Sequence, residues 1–170
     1  MSHASRHYDF QDKPADYRRL AEELHGLLSG ESDLIANAAN TSALLFDCLP
    51  DVNWAGFYLL KAGELVVGPF QGKPACVRIA LGKGVCGTAA ARRETLVVPD
   101  VYEFPGHIAC DAASRSEIVI PLTVNDALLG VLDLDSPEVA RFDVDDRIGL
   151  ERLASIFIEC SHASAARDRK

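Results

Sequence analysis

Residues 107–136 read H-I-A-C-D-A-A-S-R-S-E-I-V-I-P-L-T-V-N-D-A-L-L-G-V-L-D-L-D-S. Two apolar runs flank a short polar turn at Asn125-Asp126, the pattern of a β-hairpin. Glu117, Asp133 and Asp135 sit inside or beside those runs, and Cys110 lies on the loop leading in. A buried strand does not tolerate acids unless they are paired or put to use. The rest of the chain is therefore read as closing a pocket over this group.

Asp133 and Asp135 are two residues apart on a strand, so both point to one face, roughly 7 Å apart. Leu132 and Leu134 take the other face. Glu117 lies on the neighbouring strand. A regular pairing across a two-residue turn would set Glu117 opposite Leu134, on the wrong face. One extra residue restores the parity, and Pro121, which cannot donate to the ladder, is the expected bulge site unless the loop is longer. Three acids facing one cavity cannot all ionise cheaply, so at least one should carry a proton near neutrality. Such a cluster suits protonating a poor leaving group or binding an ammonium. The plainer alternative is three strand-end acids in water.

Outward from the hairpin, the totals set limits. A chain of 170 residues suits one domain with a real core. Its net charge of −8 argues against a nucleic-acid or anionic-membrane surface, which would want a basic patch. No apolar run approaches the ~20 residues that span a bilayer, and the first ten residues do not read as a signal peptide. A cytoplasmic protein is expected. The cysteines are Cys48, Cys76, Cys86, Cys110 and Cys160; an odd number argues against a structural disulfide framework. His107 and Cys110 form a single H-x-x-C that nothing nearby completes, so no metal site is expected.

In chain order, residues 1–13 are expected to be flexible. Pro14 opens a helix whose stripe is Tyr17, Leu20, Leu24, Leu27 and Leu28. A second helix turns Leu34, Ile35, Ala38, Leu45, Phe46 and Leu49 inward and stops before Pro50. Three strands follow, over 52–60, 64–70 and 75–80. On the first, Trp54, Gly56 and Tyr58 share a face, as core or as pocket wall. The glycine-rich stretch 81–87 lacks the order of a phosphate-binding P-loop and runs into a short helix over 88–93. A strand over 95–98, an aperiodic loop over 101–115 and the hairpin come next. Asp143 then caps a last helix with Ile148, Leu153, Ile156 and Phe157 inward. The order predicts one α+β domain over 14–160, a six-stranded antiparallel sheet with the long N- and C-terminal helices on one face and a loop-covered pocket on the other. Residues 161–170 read as a polar tail.

Cys76 starts a strand, and Cys86 precedes a short helix whose dipole favours a thiolate. Each cysteine could equally be a small buried hydrophobe. At this point the motifs become specific. N-W-A-G-F-Y-L-L at 53–60, G-P-F-Q-G-K-P-A-C at 68–76, G-K-G-V-C-G at 82–87 and V-L-D-L-D-S-P at 131–137 resemble the GAF-domain free methionine-(R)-sulfoxide reductases. The likeness runs from about Tyr17 to Phe157. It implies a GAF fold and a small cytoplasmic homodimeric enzyme that reduces free methionine-R-sulfoxide. By position it implies Cys110 as nucleophile, Cys76 as resolving cysteine and Cys86 as a third cysteine with a backup or recycling role. It implies Glu117, Asp133 and Asp135 as the carboxylates that bind the sulfoxide oxygen, and Trp54 and Tyr58 as the aromatics lining the substrate methyl group. A thioredoxin-like protein would be the external reductant, and no metal or organic cofactor is required. The rival expectations are a GAF sensor that binds a small molecule without turnover, and a redox-switch domain.

Overall fold

The computed structural model describes residues 8–107 and 112–162. The chain runs α1 (Lys13–Leu28), α2 (Leu34–Cys48), β1 (Trp54–Lys61), β2 (Glu64–Gly72), β3 (Arg78–Ala80), α3 (Gly84–Arg92), β4 (Leu96–Val98), β5 (Ser116–Val124), β6 (Ala127–Ser136) and α4 (Val144–His162). A 3-10 turn at Val101–Glu103 opens the loop between β4 and β5. The six strands form one antiparallel sheet in the order β3-β2-β1-β6-β5-β4. The helices begin where side chains cap them. Asp12 accepts from the Ala15 N–H, Asp33 from Ala36, and Asp143 from Asp145 and Asp146.

The sheet separates two apolar layers. Leu20, Leu24, Leu45, Leu153 and Phe157 of α1, α2 and α4 pack on Ala55, Phe57, Ile118, Leu132 and Leu134. On the other face, Val85, Cys86, Ala89 and Ala90 of α3 pack on Trp54, Tyr58, Val119 and Val131. The period-two alternation of β1 and β6 thus divides each strand between the layers.

Several expectations change. The segment expected to be flexible is anchored from its described start, because Tyr8 and Phe10 are buried and Phe10 meets Tyr17 edge-on. The last helix continues through Ser161 and His162; residues 1–7 and 163–170 lie outside the described residues. Ile35, Phe46 and Ile148 are exposed rather than inward, and Leu27 sits at the margin. Ala38, Leu45 and Leu49 are buried as expected, and Thr41, Ser42 and Cys48 complete the inner face of α2. Small residues let that helix approach β1 and β2, and Ser42 Oγ donates to the Pro69 carbonyl at 3.1 Å. β3 shrinks to three residues after Pro74. The glycine-rich stretch does not precede α3 but begins it. A Cβ on Gly87 would lie 2.3 Å from the Ala80 carbonyl oxygen, so only glycine lets the helix press on the end of β3.

The hairpin turn is the two-residue type, with Asn125 and Asp126 both at positive φ. The extra residue is present, but not at Pro121. Thr123 pairs with Leu128 and Leu122 with Gly130, so Leu129 is the inserted residue and the bulge lies on β6. Pro121 pairs in register with Val131. On its other side β4 reaches only Glu117, Ile118 and Val119, so the missing N–H of Pro121 interrupts nothing there.

Candidate active site

The bulge decides the geometry. With Leu129 inserted, Glu117 stands directly opposite Asp135, and Asp133 opposite Val119. Across β6, Trp54 is opposite Asp135 and Gly56 opposite Asp133. All three acids therefore share the face that α3 covers. They line one small cavity, about 40 Å³, together with Trp54, Tyr58, Cys86, His107 and Ser114. Glu117 and Asp133 are only 6% and 4% exposed, while Asp135 is half-buried.

Cys86 sits in the first turn of α3 and faces the sheet. Its thiol donates to Glu117 Oε1 at 3.7 Å. Burial raises the Asp133 pKa to about 7, with Cys86 and Glu117 pulling it back down. Burial, then the charges of Asp133 and Asp135, holds Glu117 well above the usual carboxylate range. A protonated carboxyl at neutral pH follows from both. The expectation of a Cys86 thiolate is reversed. Burial, followed by the charges of Asp133 and Glu117, raises its pKa well above that of an ordinary thiol, outweighing the helix start. Burial and Asp133 likewise raise Tyr58.

The aromatic wall is a stack of three rings. Trp54 lies between Tyr58, with centroids 5.8 Å apart, and Phe70, with centroids 5.2 Å apart. The indole N–H donates to the Lys73 carbonyl at 3.1 Å, which fixes the ring. Phe70 was not singled out from the sequence, and only its pairing with Gly56 across β1 and β2 reveals it. Phe70 backs Trp54 without lining the cavity, whereas His107 and Ser114 line it and were missed. The loop between them carries Cys110, which lies outside the described residues. Arg115, just before β5, pairs with Asp100 at 2.8 Å and covers the Tyr102 ring.

Cys76 is half-buried beside the cavity-lining Ala75 and is disulfide-bonded. Cys48 and Cys160 are free and sit in helices of the opposite layer, and burial raises the Cys48 pKa to about 12. The structure thus gathers Trp54, Tyr58, Cys86, Glu117, Asp133 and Asp135 into one cavity. Proton-bearing acids facing a flat aromatic wall can hold a small polar group and protonate it as it departs.

Known proteins carry the same arrangement of elements. A family model described as GAF domain matches residues 19–157. The chain is 56% identical to protein YtsP of Bacillus subtilis (strain 168) over 84% of its length and 89% of that protein. It is 54% identical to the free methionine-R-sulfoxide reductase of Escherichia coli (strain K12), covering 85% of this chain and 87% of that one. The X-ray structure of free methionine-R-sulfoxide reductase from Neisseria meningitidis in complex with its substrate superposes with a TM-score of 0.91. It is 43% identical and covers 98% of this chain and 99% of that one. With its cavity built on the same hairpin that the motifs mark, this chain belongs to the GAF-domain family and, within it, to the free methionine-R-sulfoxide reductases.

Proposed function

We propose that the protein reduces free methionine-R-sulfoxide to methionine by cysteine chemistry, with a thioredoxin-like dithiol as the final reductant. The observation that carries this reading is the burial of Glu117 and Asp133 together in one cavity beside the Trp54–Tyr58 wall, an environment that favours a retained proton. The sulfoxide oxygen meets the acids, and the methyl group lies on the aromatic rings. A Cys110 thiolate attacks the sulfoxide sulfur. A proton from the Glu117–Asp133 pair goes to the oxygen, the hydroxyl passes from the substrate sulfur to the Cys110 sulfur as the transient sulfur–sulfur bond breaks, and methionine departs leaving Cys110 a sulfenic acid. The Cys76 thiol displaces water from it, forming a disulfide. The reductant returns two electrons and two protons, so the cycle balances without another cofactor. Cys110 is assigned by resemblance. His107 and Ser114, which flank its loop, both line the cavity.

Cys86 is less suited to recycling. Its sulfur is buried, protonated and engaged with Glu117. Its role in this scheme is to hold Glu117 in place. A pocket that hydrogen-bonds the free amino and carboxylate ends rejects a peptide-linked substrate, which would leave those partners unpaired. A reducing cytoplasm supplies the dithiol. The exposed Val144 and Ile148 of α4 offer apolar surface that a homodimer would cover.

The test is consumption of both sulfoxide epimers, free and peptide-bound, with thioredoxin, thioredoxin reductase and NADPH. Turnover of the free R epimer alone is expected. Cys110→Ser should abolish it, and Cys76→Ser should give one equivalent of methionine and then stall. Steady turnover by Cys110→Ser would remove the assigned nucleophile, and binding without consumption would favour a sensor.

A further inference from the structure

The cavity groups three metal-ligating atoms that the reductive cycle does not use as a set. Cys86 Sγ and carboxylate oxygens of Glu117 and Asp133 all lie within 4.8 Å of one another. They come from α3, β5 and β6, so the fold holds them rather than a single loop. A thiolate at ~2.3 Å and a carboxylate oxygen at ~2.2 Å from one tetrahedral zinc stand about 3.7 Å apart. Cys86 Sγ and Glu117 Oε1 are 3.7 Å apart already. Asp133 Oδ1 is buried and has no hydrogen-bond partner among the described residues. Such an acceptor is costly unless something occupies it. The cavity volume of about 40 Å³ suits an ion and a water.

We infer that Cys86, Glu117 and Asp133 form a reversible site for a thiophilic divalent cation, zinc or cadmium, whose occupation blocks the catalytic pocket. A mixed thiolate and carboxylate set selects zinc or cadmium over magnesium and calcium, which take oxygen ligands alone. The Cys86 proton leaves to solvent as the metal–sulfur bond forms. A water, or Asp135 on the same wall, fills the fourth position. Cation and sulfoxide need the same carboxylates, so they exclude each other. That consequence rests on the reductase reading, whereas the binding site does not.

The test is titration of the reduced full chain with cadmium, read by the ultraviolet charge-transfer band of a cadmium–thiolate bond. One equivalent should bind, and the band should persist in the Cys76→Ser/Cys110→Ser variant and in the Cys48→Ser/Cys160→Ser variant. It should vanish in Cys86→Ser. Glu117→Gln and Asp133→Asn should each weaken binding at least ~10-fold by removing a ligand. A band that survives Cys86→Ser, or that is lost with Cys76 and Cys110, would overturn the site. Zinc should raise KM for the sulfoxide without lowering kcat, reversed by a chelator. Turnover in metal-free buffer is a separate measurement, so failure of either reading leaves the other standing.

Discussion

At the scale of single residues, the proposed chemistry rests on acids kept from ionising. Asp133 shows how that couples to stability. Its folded pKa is about 7 against an ordinary 3.8. Between those values the folded chain keeps a proton that the unfolded chain releases. The contribution of Asp133 is therefore full below about pH 4 and is lost as the pH rises through about 7. Asp133→Asn should flatten the fall in Tm between mildly acidic and mildly alkaline buffer, seen in thermal melts. Parallel melting curves for the two proteins would mean that Asp133 is ionised throughout. Glu117→Gln should lower kcat by ~100-fold or more, the usual scale for losing a positioned acid, with the fold unchanged by circular dichroism. The rate of the native enzyme should fall at high pH as the Glu117–Asp133 pair loses its proton. Had Cys86 been an exposed thiol, its place at a helix start would have made it reactive. Buried against two acids, it is a donor instead.

At the scale of elements, the β5–β6 hairpin carries the site, and one inserted residue carries the hairpin. Without Leu129, pairing would continue in register from the two-residue turn, and Glu117 would face the opposite layer from Asp133 and Asp135. Deleting Leu129 should abolish turnover even where far-UV circular dichroism still shows a folded sheet. Gly130 follows the insertion at a φ of +156°, and a Cβ there would lie 2.1 Å from the Tyr58 carbonyl oxygen. Gly130→Ala should cost about 2 kcal/mol or more in urea denaturation, because backbone rather than a flexible side chain would have to move. Full stability in that variant would show that β1 and β6 can separate locally. The bulge's existence could be read from the parity of Glu117 and Asp133. Its position could not, because Pro121 is the obvious ladder defect and only the short reach of β4 makes it harmless.

At the scale of the whole molecule, the helical layer is locked by one carboxylate far from the cavity. Asp146 is fully buried and accepts from Lys13 at 2.6 Å, Tyr17 at 2.8 Å and Arg141 at 3.0 Å. It joins α1, α4 and the segment after β6. Asp146→Ala leaves half-buried Arg141 and Lys13 without this carboxylate and should lower stability by about 3 kcal/mol while sparing KM. Urea denaturation beside steady-state kinetics would check both. Asp143, held at about 2 mainly by its Lys13 partner against burial, adds stability above its ordinary pKa that disappears as the pH falls through about 2. By itself, the sequence determined the element order, the two-layer division of β1 and β6, the Asp143 cap and the family. Those follow from local periodicity, turn chemistry and motifs that need no partner to be read. Tertiary structure alone decided the remainder: burial of Tyr8 and Phe10, exposure of Ile35, Phe46 and Ile148, the place of the bulge, and the protonated state of Cys86. Each depends on what lies across a gap from the residue, and electrostatic and packing energies are set by those neighbours rather than by the neighbours along the chain.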